Sequence, residues 1–282
     1  MKTVVLFGAG QNGAMLARLM GADYSVLCFA DNAERKWGTE LLGIPILSPE
    51  NSFRLKPDCC CICVLDEERA TQMEKQIISL GFEGEIIKPA CVETFDTRIA
   101  TMRLLAEQIK KCDIPGDVAE LGVFRGDFAR HINHEFPDRT MHLFDTFEGF
   151  NGRDVDIEKR EGYSRAGVGD FSETSQELVR EKLPYPERAE FHVGYFPDTF
   201  TEKAAKAMYA FVSVDADLYA PTAAALPLFY DRLSSGGVIM VHDVNSMQYT
   251  GTGKAVDEFC SERGIMPFPI SDLHGSVAIR KI

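Results

Sequence analysis

Phe211-Val212-Ser213-Val214-Asp215-Ala216-Asp217-Leu218-Tyr219 and its companion run Val238-Ile239-Met240-Val241-His242-Asp243-Val244-Asn245 decide the fold. Both are apolar strands whose polar groups gather at the C-terminal end, where open α/β sheets bind their ligands. Asp215, Asp217, His242 and Asp243 therefore stand at two strand tops, and three carboxylates with one imidazole can make a cation site with open positions. Solvated loop acids are the plainer alternative, but such acids have no reason to abut buried strands directly.

Outward from these runs the chain alternates. Strands are expected over 117–121, 140–145, 189–193, 210–215 and 236–241, helices over 126–136, 173–183, 200–207, 221–234 and 251–263, and a last apolar stretch at 275–280. That order makes a doubly wound parallel sheet. Its first strand leaves through Glu120-Leu121-Gly122-Val123-Phe124-Arg125-Gly126, where glycines let backbone approach a ligand and the following helix offers free N–H groups to a carboxylate. A tight turn without any ligand fits that run equally well. The next strand ends at Asp145, 25 residues beyond Glu120, near where a ribose diol lies in a nucleoside-binding sheet. An aspartate there can also simply cap a turn.

A second α/β pattern precedes this one. Thr3 to Phe7 is an apolar run that ends in Gly8-Ala9-Gly10-Gln11-Asn12-Gly13, a helical pattern continues through Met20, and Ser25 to Ala30 ends at Asp31. Strand, Gly turn, helix, strand and acid is the dinucleotide-fold order, which makes Gly8, Gly10, Gly13 and Asp31 a candidate ligand site. Further strands are expected at 44–47, 59–65 and 85–87, with a helix from Glu67 to Leu80 stopped by Gly81. The chain is thus α/β with two domains: a small Rossmann-like domain over 1–92, a linker helix over 93–115 that Pro115-Gly116 closes, and the doubly wound domain over 116–282.

Composition narrows the partners. With 30 basic and 43 acidic residues the formal charge is −13, and no concentrated basic surface is visible for nucleic acid. No uncharged apolar run approaches the ~20 residues of a membrane span, and the N-terminus lacks the apolar core of a secretory signal. Cys59-Cys60-Cys61-Ile62-Cys63 reads as one buried strand rather than a metal site. Same-face residues of a strand repeat every ~6.6 Å, whereas thiolates sharing one zinc ion lie about 4 Å apart. A reducing cytoplasm is the expected setting.

From about Thr97 onward, five ordered segments resemble the macrocin O-methyltransferase (TylF-type) family. They are Gly116-Asp117-Val118-Ala119-Glu120-Leu121-Gly122-Val123, Leu143-Phe144-Asp145-Thr146-Phe147-Glu148-Gly149, Asp215-Ala216-Asp217-Leu218-Tyr219, Leu233-Ser234-Ser235-Gly236-Gly237 and Gly253-Lys254-Ala255-Val256-Asp257-Glu258-Phe259. The resemblance implies a class I methyltransferase domain that uses S-adenosyl-L-methionine and a divalent cation, usually magnesium, to methylate a hydroxyl of a sugar or glycosylated acceptor. It implies Glu120, Gly122 and Gly126 near the methionine part of the cofactor and Asp145 near its ribose. It also implies Asp215, His242 and Asp243 on the metal and Asp217 as the base. The best-described relatives carry two consecutive aspartates where this chain has His242-Asp243, and a nitrogen ligand moves preference toward manganese or another transition ion.

The first domain is similar to the nucleotide-sugar-binding domains of bacterial sugar acetyltransferases and, more loosely, to dinucleotide domains. The residues leave open a nucleotide-sugar oxidoreductase built on Gly8 to Gly13, although residues 1–90 contain no histidine, and a non-catalytic nucleotide-binding protein. The Gly- and charge-rich segment from Asn151 to Ser172 interrupts the alternation and is expected to be a lid, since loops this long are usually functional or disordered. The acceptor, the N-terminal ligand, the metal and the oligomeric state, a homo-oligomer included, are left open by the sequence.

Overall fold

The computed structural model describes residues 2–20, 24–88, 96–272 and 275–282. The chain divides into two compact units, Met1–Asp96 with Asp272–His274, and Thr97–Ser271 with Gly275–Ile282.

The first unit holds β1 (Lys2–Phe7), α1 (Gln11–Leu19), β2 (Tyr24–Ala30), β3 (Glu40–Leu41), β4 (Ile44–Leu47), α2 (Pro49–Phe53), β5 (Cys59–Ile62), α3 (Glu67–Ser79) and β6 (Glu85–Ile87). Its sheet runs β3-β4-β2-β1-β5-β6, and only the short β3–β4 pair is antiparallel. Alternation along the central strands feeds two cores. Val4, Leu6, Cys59 and Cys61 pack on one face, and Val5, Phe7, Cys60 and Ile62 on the other. The cysteine run is therefore core, with free thiols, and its strand ends at Ile62 rather than continuing to Leu65.

The second unit adds α4 (Thr97–Lys111), β7 (Asp117–Leu121), α5 (Ala129–Glu135), β8 (Met141–Asp145), α6 (Gly152–Glu161), α7 (Gln176–Lys182), β9 (Ala189–Val193), α8 (Glu202–Lys206), β10 (Tyr209–Val214), α9 (Tyr219–Tyr230), β11 (Leu233–Val241), α10 (Thr250–Arg263), β12 (Phe268–Pro269) and β13 (Val277–Arg280). Its sheet runs β12-β13-β11-β10-β7-β8-β9. The five strands from β9 to β11 are parallel, while β13 is antiparallel to both of its neighbours. Apolar cores cover both faces, as a parallel sheet requires.

Three further differences from expectation bear on the site. The helix expected between the domains belongs to the second unit: Met102, Ala106 and Ile109 of α4 are fully buried in that unit's core. Residues 93–95, where that helix was expected to begin, lie outside the described residues. The helix expected from residue 126 starts at Ala129, because Gly126 takes a φ of +75°, which is not helical backbone. The expected lid contains a 10-residue helix, α6, capped by the Asn151 side chain at one end and by left-handed Gly162 at the other. Among the described residues, no helix is long and apolar enough to cross a membrane.

Candidate active site

Strand register assembles the site. Leu121, Phe144, Val214 and Val241 are partners across β7, β8, β10 and β11. The next residues, Gly122, Asp145, Asp215 and His242, stand together at the carboxyl edge. Backbone bonds extend the ladder to them: Asp215 N–H donates to Leu121 O at 2.8 Å, His242 N–H to Val214 O at 2.9 Å and Gly122 N–H to Phe144 O at 3.0 Å. Asp217 and Asp243 both turn the chain with φ of +57°, a left-handed conformation that aspartate tolerates better than most residues. The Thr252 hydroxyl holds the Asp217 carbonyl at 2.7 Å.

The side chains form a compact charge cluster. His242 Nδ1 lies 2.9 Å from Asp215 Oδ1 and 2.8 Å from Asp243 Oδ2, and Arg98 Nη1 lies 3.0 Å from Asp215 Oδ2. Burial and Arg98 oppose charge on His242, yet Asp215 and the hydrogen bonds to both aspartates push its pKa up to about 10. Burial works against the Asp215 carboxylate too, but Arg98 and His242 hold it well below the usual range. Asp217 moves the other way: burial, the neighbouring Asp215 and Asp243, and a hydrogen bond with Asp243 raise its pKa well above 3.8. One ligating atom each from Asp215, His242 and Asp243 falls within a 4.8 Å span, a size and donor set that fit a divalent cation.

Beside this cluster lies the Gly turn. Gly122 has a φ of +82°, and a Cβ there would stand 1.9 Å from the Asp215 carbonyl oxygen. Gly126 is less tightly confined, with a Val179 methyl 3.0 Å from its Cβ position, but its φ of +75° favours glycine. The fold itself thus accounts for both glycines. Asp145 is already engaged: Oδ2 accepts from Val123 and Phe124 N–H at 2.7 and 2.8 Å, and Oδ1 from Phe147 N–H at 2.7 Å. Glu120 is only 1% exposed, and neither of its oxygens has a well-formed hydrogen bond. Burial raises its pKa well above 4.5 despite Arg98 nearby.

The sequence profile of the macrocin O-methyltransferase (TylF) family matches residues 88–279. The chain belongs to this family. A separate profile, C2185-like N-terminal, matches residues 1–87, so the TylF match leaves the first unit apart. Among relatives, a demethyldecarbamoylnovobiocin O-methyltransferase of Streptomyces niveus is 28% identical over 57% of this chain and 64% of its own length. A mycinamicin III 3''-O-methyltransferase of Micromonospora griseorubida is 27% identical over 52% and 62%. The matches span just under two thirds of these relatives. The solved O-methyltransferase NovP is 25% identical with a TM-score of 0.52, covering 66% of this chain and 79% of its own. CalS11, a calicheamicin methyltransferase, has a TM-score of 0.55 at 19% identity, covering 77% and 94%. The TylF-type unit therefore has the class I methyltransferase fold.

Two residues beside the candidate site in this TylF-type unit escaped the sequence reading. Arg98 continues the buried stripe Met102, Ala106 and Ile109 of α4 and lays its guanidinium 3.8 Å above the Phe128 ring. A cation in line with an apolar stripe was the available signal. Glu158 of α6 is fully buried and accepts the Tyr219 N–H at 2.8 Å, which satisfies the start of α9, where Leu218 supplies no side-chain cap. Nearby, Phe171 packs against Phe124, 5.4 Å between ring centres, so the 151–172 segment reaches the Gly turn.

The first unit repeats the acid-on-turn arrangement. Asp31 Oδ2 accepts the Ala9 N–H at 2.9 Å and Lys36 Nζ at 2.8 Å, and Oδ1 accepts the Ala33 N–H at 2.8 Å. A Cβ at Gly13 would strike the Gly8 carbonyl at 2.0 Å, and one at Gly8 would meet Cys63, whereas Gly10 has nothing within 4 Å.

Proposed function

We propose that the TylF-type unit is an S-adenosyl-L-methionine-dependent O-methyltransferase acting on a hydroxyl of a sugar or glycosylated acceptor, assisted by a divalent cation. The observation that carries this reading is the meeting of Asp215, Asp217, His242 and Asp243 at one sheet edge beside the Gly122 turn. Membership of the macrocin O-methyltransferase family and likeness to a demethyldecarbamoylnovobiocin and a mycinamicin III O-methyltransferase support this acceptor class.

Glu120, Gly122, Gly126 and Asp145 line the cofactor side. Asp145 holds the Val123–Phe124 backbone with Oδ2 and Phe147 N–H with Oδ1, which leaves one lone pair on Oδ1 for a ribose hydroxyl. The cofactor supplies an electrophilic methyl group, and a cation held by Asp215, His242 and Asp243 would loosen the acceptor's hydroxyl proton. Asp217 takes that proton as the oxygen–methyl bond forms and the sulfur–methyl bond breaks. Burial and the crowding of Asp215 and Asp243 raise the Asp217 pKa, so added positive charge beside those two carboxylates would favour its base form. His242 must give up its proton to become a ligand.

A second reading follows from Arg98 and His242, whose positive charges already balance Asp215 and Asp243. In that case the site works without added metal. One series separates the two: turnover of chelator-stripped protein with magnesium, manganese, cobalt or zinc, before and after His242→Asp, with cofactor affinity measured by calorimetry. Metal-restored turnover, with the ranking moving toward magnesium in His242→Asp, supports the first reading. Full turnover without metal supports the second. Asp217→Asn should lower turnover by ~100-fold or more while cofactor affinity holds, and unchanged turnover removes Asp217 as the base.

For the first unit we propose a nucleotide or nucleotide-sugar ligand at the Gly8–Gly13 turn with Asp31. Gly10 supports this reading, because no packing inside the unit accounts for a glycine there.

A further inference from the structure

One face of strands β8 and β9 carries a cluster that methyl transfer does not use. His142, the second residue of β8, pairs in register with Glu190 of β9, and His192 lies two residues along the same face, paired with Phe144. Asp117, the first residue of β7, completes the group. At ~3.3 Å per residue, His142 is roughly 10 Å along β8 from Asp145. His142 Nε2 is 3.1 Å from Asp117 Oδ2, and its Nδ1 is 3.0 Å from His192 Nε2 and 3.9 Å from Glu190 Oε2.

Hydrogen bonding fixes which atoms are available. The His142 ring is 1% exposed, and the tautomer that donates Nε2–H to the Asp117 carboxylate turns the Nδ1 lone pair toward His192, whose Nε2 proton must leave before an ion is held. The His192 ring stacks on Phe144 with ring centres 4.3 Å apart and planes within 11°, so its orientation is held. Glu190 commits Oε1 to Lys203 and presents Oε2 to the imidazoles. Ligating atoms from His142, Glu190 and His192 lie within 4.8 Å of one another. Two imidazole nitrogens on a tetrahedral ion with bonds of 2.0–2.1 Å stand about 3.3 Å apart, a few tenths of an ångström beyond the observed separation. A carboxylate behind a ligating histidine is the usual means of orienting such a ring.

We propose that His142 Nδ1, His192 Nε2 and Glu190 Oε2 form a zinc-class transition-metal site, separate from the carboxylate-rich cluster, with Asp117 positioning His142. Two nitrogens and one oxygen select zinc, cobalt, nickel or copper over magnesium. Glu190, 32% exposed along its side chain, gives the ion a path from solvent. Because β9 is the edge strand of the sheet, a bound ion fastens that edge to β8.

The test is a cobalt titration of full-length, chelator-stripped protein in excess magnesium, read by visible d–d absorption and followed by zinc displacement. Tetrahedral bands that saturate with one equivalent of cobalt and are lost to zinc are expected, whether or not the His242 cluster takes a further ion. His192→Gln and Glu190→Gln, both at partly exposed positions, should abolish the bands or weaken zinc at least ~10-fold. Asp117→Asn should weaken zinc by ~10–100-fold, and His242→Ala should leave the bands in place. Circular dichroism of each metal-free variant checks that the fold is kept. Bands that vanish with His242→Ala and persist in His192→Gln overturn the proposal. So does a parent protein that binds no cobalt, which would leave His142 and His192 as a hydrogen-bonded imidazole pair.

Discussion

Arg98→Met replaces the guanidinium beside Asp215 by an apolar chain that keeps much of the buried stem. Breaking a buried ion pair from one side costs about 3–5 kcal/mol, and two features place this case at the low end. His242 still lies 2.9 Å from the other Asp215 oxygen, and the Asp215 side chain is 22% exposed, so water reaches it. Loss of the cation–π contact with Phe128 adds about 0.5–2 kcal/mol, while methionine recovers some packing. The expected cost is roughly 3–4 kcal/mol. At about 2–4 °C per kcal/mol for a unit of this size, the second unit should melt roughly 6–16 °C lower. Trp37, the single tryptophan, belongs to the first unit, so its fluorescence follows that unit while far-ultraviolet circular dichroism follows both. Arg98→Met should lower the dichroism transition that tryptophan fluorescence does not report. Arg98→Lys, which keeps the charge but not the planar fork, should recover part of the loss. A second-unit change below about 1 kcal/mol would refute the claim that Asp215 depends on Arg98.

Three further outcomes are expected. Gly122→Ala combines a left-handed φ with a backbone clash and should destabilise the second unit by more than about 2 kcal/mol in urea unfolding; a smaller loss would mean that β7 and β10 separate freely at that edge. Gly10→Ala meets nothing within 4 Å and should move first-unit stability by less than about 0.5 kcal/mol while weakening nucleotide or nucleotide-sugar binding in calorimetry, and unchanged binding takes Gly10 out of any ligand site. Burial opposes charge on Asp31, but Lys36, Ala33 and Ala9 hold its pKa below 3.8. Its contribution is therefore complete above pH 3.8 and fades as pH falls through the lower folded value. Asp31→Asn should flatten that acid limb in Trp37 fluorescence, and an unaltered acid profile argues against the linkage.

What the sequence made legible was local. Each Gly turn sits directly after an apolar strand and each acid directly after the next, so Gly8 to Gly13 with Asp31, and Gly122 with Asp145, could be read without knowing a single contact. Asp215, His242 and Asp243 were legible for the same reason, because parallel register carries adjacent strand ends to one edge. Arg98 was not, since its partner lies more than a hundred residues away. Helix α6 was hidden by its own buried face, which carries Asp154 and Glu158 along with Val155. Carboxylates in core positions erase the apolar periodicity by which a helix is recognised. The His142–His192 pair was missed because two half-polar strands meet there, and neither run alone announces a shared purpose.

The antiparallel strand β13 lies inside the sheet, between β11 and β12, although it is the last of these strands to be synthesised. A ribosome delivers the chain from its N-terminus at about 5–20 residues per second, so β11 emerges well before its neighbour exists. During that interval Val238 to Val241 form a bare apolar margin with unpaired backbone groups, the kind of edge on which nascent chains stick to one another. The exposure of this protein to misassembly is thus set by the delay between making residue 241 and making residue 277, and a translational pause placed between them would prolong it.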